Sequence, residues 1–79
     1  MTIDEAARML RGMYEAGGVS GRHRRTTAIR LFGIKYAGEV EPLSIPDIPR
    51  QAGLPDSYRD EINKGRALAE YVVVMKDFP

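Results

Sequence analysis

The spacing of apolar positions changes along the chain and marks out its elements. In "TIDEAARMLRGMYEAGG" (residues 2–18) Ile3, Ala6, Leu10, Met13 and Tyr14 recur at three- and four-residue steps, which places them on one face of a helix. Thr2 and Glu5 stand just ahead of that stripe in capping-box spacing, each side chain within reach of the other's backbone amide. Gly12 weakens this helix by about 1 kcal/mol relative to alanine, and Gly17 and Gly18 stop it. "VSGRHRR" (residues 19–25) carries turn residues and charge without periodicity and reads as an exposed loop. Helical spacing resumes in "TTAIRLFGIKYAGEV" (residues 26–40), with Thr26 or Thr27 as cap, Ile29, Phe32, Tyr36 and Val40 inward, and Ala28 and Leu31 flanking them. Pro42 ends it, because its ring cannot continue a helix.

The next stretch is harder to place. Ser44 and Asp47 resemble a cap, and Pro46 fits a first turn, where its missing donor would be unpaired anyway. Pro49 allows only a short or distorted helix: one starting at Ser44 loses a backbone bond there, and one starting at Asp47 is barely more than a turn long. Leu54, Tyr58 and Ile62 then recur every four residues in a helix that begins near Pro55 and is ended or kinked by Gly65. "YVVVM" (residues 71–75) is β-branched and apolar and predicts a strand. The expected architecture is mainly α, a single domain over residues 1–79. About four helices form a small bundle around Phe32, Tyr36, Tyr58 and Ile62, followed by a short C-terminal strand.

Composition narrows the function. A chain of 79 residues buries only about 60–65% of the surface its unfolded form exposes, so its stability is expected to be marginal or shared with a partner. Cysteine is absent and histidine occurs once, as His23, which removes disulfide and thiolate-metal schemes; neither a metal nor a cofactor is expected. His23 reads as an exposed loop residue or a phosphate donor. No apolar run approaches the roughly 20 residues of a membrane span, and Asp4 and Glu5 sit where a signal peptide would be basic, so a complete cytoplasmic protein is expected. The net charge of +1 is unevenly spread: Arg8, Arg11, Arg22, Arg24, Arg25, Arg30 and Lys35 face only Glu15 between positions 8 and 35. Asp56 and Asp60 share a helix face, but nothing in the chain supplies a phosphate loop or a nucleophile–histidine–acid set, and no catalytic residue is expected.

A turn at Ala52–Gly53–Leu54, with Ile48 and Ala52 inward before it and Tyr58 and Ile62 inward after it, meets the packing needs of two helices joined by a short glycine-containing turn. Residues 43–64 resemble the helix-turn-helix superfamily, departing from it at Pro49, where a small residue is usual. More narrowly, "LFGIKYAGEVEPLS" followed by "AGLPDSYRDEINKGRALAEYV" looks like the bacterial family of helix-turn-helix-like domains. That resemblance spans nearly the whole chain and implies a compact helical fold that binds double-stranded DNA. On this reading helix 55–64 enters the major groove, where Ser57, Arg59 and Asn63 read bases. Arg22, Arg24 and Arg25 of the Arg-rich loop 20–25, with Arg30, Lys64 and Arg66, contact the backbone phosphates. Asp56, Asp60 and Glu61 work against attraction to phosphate. The predicted strand, Tyr71, Val72, Val73 and Val74, has no second strand to pair with in the chain and would join two copies as a homodimer. The alternative is an adaptor or antitoxin-like module that meets another protein and no DNA.

Overall fold

The computed structural model of the chain describes residues 1–18 and 22–75, with backbone only for 17, 18 and 22–24. Among the described residues it is helical: α1 (Ile3–Gly18), α2 (Arg22–Lys35), α3 (Ala37–Val40), α4 (Asp47–Gln51) and α5 (Tyr58–Leu68). None of these helices is long and apolar enough to cross a membrane. α2 lies at the centre, packed on α1 along one side and on α5 along the other, while α4 rests mainly on α1.

The capping box opens α1 as its spacing predicts. The Thr2 amide donates to Glu5 Oε1 at 2.9 Å and the Glu5 amide donates to Thr2 Oγ1 at 3.1 Å. Behind it Ala6 and Leu10 are fully buried against Ile29, Phe32 and Ile62 in one core. Phe32 is completely enclosed, its ring 5.3 Å from that of the half-buried Tyr36. Tyr58 turns instead toward α1, where its ring lies 5.8 Å from Tyr14. Of the expected buried set of four, Phe32 and Ile62 are therefore enclosed together in the core, while Tyr36 and Tyr58 are only partly buried and pack against its edge.

Four expectations need correction. Residues 22–25 are not loop but the first turn of α2, so Thr26 and Thr27 lie inside the helix rather than capping it; arginine is a good helix former, and nothing after Gly21 interrupts the run. The helix also stops short of Val40. Tyr36 leaves helical geometry at φ −112°, ψ 20°, and α3 forms separately before burying Val40. At the other end, residues 71–75 make no strand: Tyr71 is in a turn, and Val72, Val73 and Val74 have no ladder, since β-propensity forms no sheet without a neighbouring strand and none is present among the described residues.

The fourth correction concerns Gly65. It neither ends nor kinks its helix, which continues to Leu68. It is buried in mid-helix because α5 crosses α2 there with no side chain between the two backbones. A Cβ on Gly65 would collide with the Arg30 carbonyl oxygen and come within 3.0 Å of the Gly33 Cα; a Cβ on Gly33 would collide with the Ile62 carbonyl oxygen. Both obstacles are backbone, which cannot rotate aside. Beside this crossing Arg30 of α2 donates from Nε to Glu61 Oε2 of α5 at 2.5 Å, and Lys64 Nζ lies 3.4 Å from Glu61 Oε1. The bond from Arg30, against the opposing effect of burial, holds the Glu61 carboxyl below its usual range.

Two stability predictions arise from this packing. Gly65→Ala should destabilise the fold by about 3 kcal/mol in urea unfolding, through overpacking between rigid backbones. Gly12, also mid-helix but facing open space, should behave oppositely, with Gly12→Ala raising stability by about 0.5–1 kcal/mol. Equal effects at the two sites would mean that the helices are not in backbone contact. Because Glu61 has a lowered folded pKa, its contribution is present above its ordinary value of 4.5 and is lost as pH falls through the lowered one. Glu61→Gln should therefore flatten the acid limb of a stability–pH profile by about 1 kcal/mol below roughly pH 4.5 and change its neutral limb little in slope. Glu5, held low by the Thr2 amide, keeps part of the acid dependence in that variant.

Candidate nucleic-acid interface

α4 is a single turn for the reason its prolines suggest. Pro46 occupies the N-cap, and buried Pro49 falls in the first turn, where helical amides have no partner to lose. Its end is closed by the Gly53 amide donating to the Arg50 carbonyl at 3.1 Å and the Leu54 amide to the Pro49 carbonyl at 2.9 Å. This is a Schellman pair, and it requires the left-handed φ of +73° found at Gly53. Leu54 is thereby turned into the core. The chain then winds from Pro55 through three successive i→i+3 bonds, from the amides of Tyr58, Arg59 and Asp60, into α5. The second helix of the pair is thus Tyr58–Leu68 with a tight lead-in turn, later at both ends than the expected 55–64.

Several polar contacts hold this turn that sequence reasoning did not single out. Arg11 of α1 donates to the Ala52 carbonyl at 3.1 Å, and Gln51 Nε2 donates to Asp4 Oδ1 at 3.0 Å. Arg50 bridges 3.2 Å to Asp47 and 3.9 Å to Asp56, linking α4 to the lead-in turn. The Arg50–Asp47 spacing of three was a usable signal; the reach from Arg11 to Ala52 spans 41 residues and left none.

The expected base readers lie near the start of α5. Ser57 is its N-cap residue, exposed and with a hydroxyl that makes no capping bond. Arg59 is exposed, with only a 3.9 Å approach to Asp60. Asn63 is exposed one turn later on the same flank, and its Oδ1 accepts a bond from Arg66 Nη1 at 3.0 Å. Arg66 is half-buried, and its Nε is enclosed without a hydrogen-bond partner. On the other flank Arg30 and Lys64 both hold Glu61, so two of the expected phosphate contacts share one carboxylate. Asp56 and Asp60 remain exposed between the flanks.

α2 carries the remaining cations. The Arg25 guanidinium sits 5.2 Å from the centre of the Tyr14 ring, which in turn meets Tyr58, the first residue of α5. Burial, reinforced by Tyr14, raises the Tyr58 phenol above its usual range. Arg22, His23 and Arg24 belong to the same first turn of α2; their side chains, and residues 20 and 21 of the expected Arg-rich loop, lie outside the described set. Among the described residues no group of three histidine, aspartate or glutamate side chains converges as a metal would need.

Comparison with known proteins agrees with this geometry at the level of family. No curated protein and no solved structure matches the chain. A family model described as an HTH-like domain matches residues 2–75, from the capping box to the segment beyond α5. The chain, with its one-turn α4, glycine turn and longer α5, therefore belongs to the HTH-like domain family.

Proposed function

We propose that this chain binds double-stranded DNA, as a small transcriptional regulator or as the DNA-targeting module of a larger system working in the cytoplasm. The observation that carries the reading is the placement of Arg59 and Asn63. They stand one turn apart on an exposed flank of the second helix of the pair, with Ser57 at its start. Side chains so placed suit base edges in a major groove: arginine pairs with the O6 and N7 of guanine, asparagine with the N6 and N7 of adenine. Arg25, held on Tyr14 beside the first residue of α5, supplies a phosphate contact at the same end, and Arg22 and Arg24 in the same turn add two more. Arg30, Lys64 and Arg66 are weaker candidates, because each already bonds a neighbouring side chain.

A second reading, an adaptor that meets another protein, is favoured by one observation. Tyr71 and Val73 are each 80% exposed and Met75 is 94% exposed, an apolar run without cover among the described residues. Binding to random-sequence and genomic DNA over a range of salt concentrations separates the two, since phosphate contacts produce a steep log–log salt slope and an adaptor produces no binding.

Within the DNA reading, two groups of residues should fail in different ways. Arg59→Ala or Asn63→Ala should reduce preference for a cognate site by about 1–3 kcal/mol with nonspecific affinity nearly intact. Arg24→Ala combined with Arg25→Ala should weaken binding to every sequence and flatten the salt slope by about 2. Asp60→Asn should strengthen nonspecific binding by removing an exposed repelling charge. Absence of binding at low salt, or indifference to all of these changes, would leave the adaptor reading in possession.

A further inference from the structure

α5 has two stripes, and the described chain covers only one of them. Ile62 and Gly65 face α2, whereas Lys64, Ala67, Leu68 and Tyr71 follow one another at positions i, i+3, i+4 and i+7 on the outward side. The backbone keeps winding beyond the helix, with the Tyr71 and Val72 amides donating to the Leu68 carbonyl at 2.9 and 3.0 Å, so Tyr71 stays on that side. Together with Arg30 these residues line one shallow groove. Its floor is apolar and its rim carries Arg30 and Lys64, which share Glu61 and leave one net positive charge there. Glu70, exposed next to it, makes no ion pair with any described residue.

We propose that the occupant is a second copy of this chain, α5 packed antiparallel on α5 about a two-fold axis at Ala67. Such an axis sets the residue k places after 67 beside the residue k places before it on the partner. Glu70 then meets the partner's Lys64, and the symmetry makes this contact twice. A parallel arrangement would oppose like charges at both positions, so the charge pattern selects the antiparallel one. The small side chain of Ala67 at the crossing lets the axes approach to about 8–9 Å, and the exposed surfaces of Leu68 and Tyr71 are covered from both sides. This interface uses the helix after Lys64, not a β-ladder of residues 71–74.

The proposal does not rest on DNA binding, but it constrains it. Arg59 lies eight residues before Ala67, or about 12 Å along the helix. The helix axes at the two copies of Arg59 would then stand about 26 Å apart, short of the roughly 34 Å between successive major-groove faces. Each dimer would engage a duplex through one α5 at a time.

Sedimentation equilibrium of the full chain at low salt tests the interface without any DNA. The expected result is a dimer whose dissociation constant rises about tenfold in Glu70→Lys and returns to within about threefold of the original when Lys64→Glu is added. Leu68→Asp should give a monomer with unchanged helical circular dichroism; should that variant fail to fold, the charge exchange alone decides. A wild-type monomer at about 1 mM overturns the proposal, as does a dimer indifferent to Glu70→Lys or a double variant no better than the single one.

Discussion

The contact between the backbones of α2 and α5 at Gly33 and Gly65 sets the terms for everything else in this domain. Helices usually meet through interlocked side chains that can adjust by a rotamer; here the surfaces in contact are Cα atoms and carbonyl oxygens, and they cannot. Gly65 on α5 lies one turn from Ile62, whose fully buried side chain joins Phe32 and Ile29 in the core. Fixing both points fixes the rotation of α5 about its own axis. The exposure of Arg59 and Asn63 on one flank, of Asp60 outward, and of Glu61 beside Arg30 then follows from helical periodicity alone.

The turn that precedes α5 is built to serve that orientation. Pro49 would be a defect in a longer helix but costs nothing in a first turn, and Gly53 adopts the one backbone conformation in the described chain that needs a missing side chain. With Arg11 and Gln51 tying the turn to α1, α5 is held at two points: by the turn at its start and by the glycine crossing further along it. The Tyr14–Tyr58 pair adds a third hold and carries Arg25 to the same end. A rigid scaffold of this kind is what a surface helix needs if it is to present side chains in one geometry.

Local chemistry made part of this legible in the sequence. The capping box at Thr2 and Glu5, the shortness of the helix around Pro49, the glycine turn and the inward stripe of Leu54, Tyr58 and Ile62 each depend on residues within a few positions of one another, and sequence spacing reports such relations directly. What failed depended on distant partners or on a context the pattern did not carry. Gly65 read as a breaker because its reason for being glycine lies 32 positions away at Gly33. Arg22 to Arg25 read as loop because charge without apolar spacing hides a helix whose inward positions start at Ala28 and Ile29. The valines after Tyr71 read as a strand because side-chain preference says nothing about whether a neighbouring strand exists. The base-reading and phosphate roles remain a proposal, resting on where α5 and the first turn of α2 place those residues.

The sharing of Glu61 by Arg30 and Lys64 has a consequence for the thermodynamics of any polyanion that approaches this face. A free surface cation that meets a phosphate lets the polyanion shed a condensed counterion into bulk solution, and the entropy of that release drives much of the affinity. Arg30 and Lys64 already have a counterion, and it is covalently attached to the protein. Displacing Glu61 disperses nothing and leaves an uncompensated carboxylate beside the incoming phosphate. The three charges act as a single positive one, and that flank of α5 is quieter electrostatically than its two basic residues suggest.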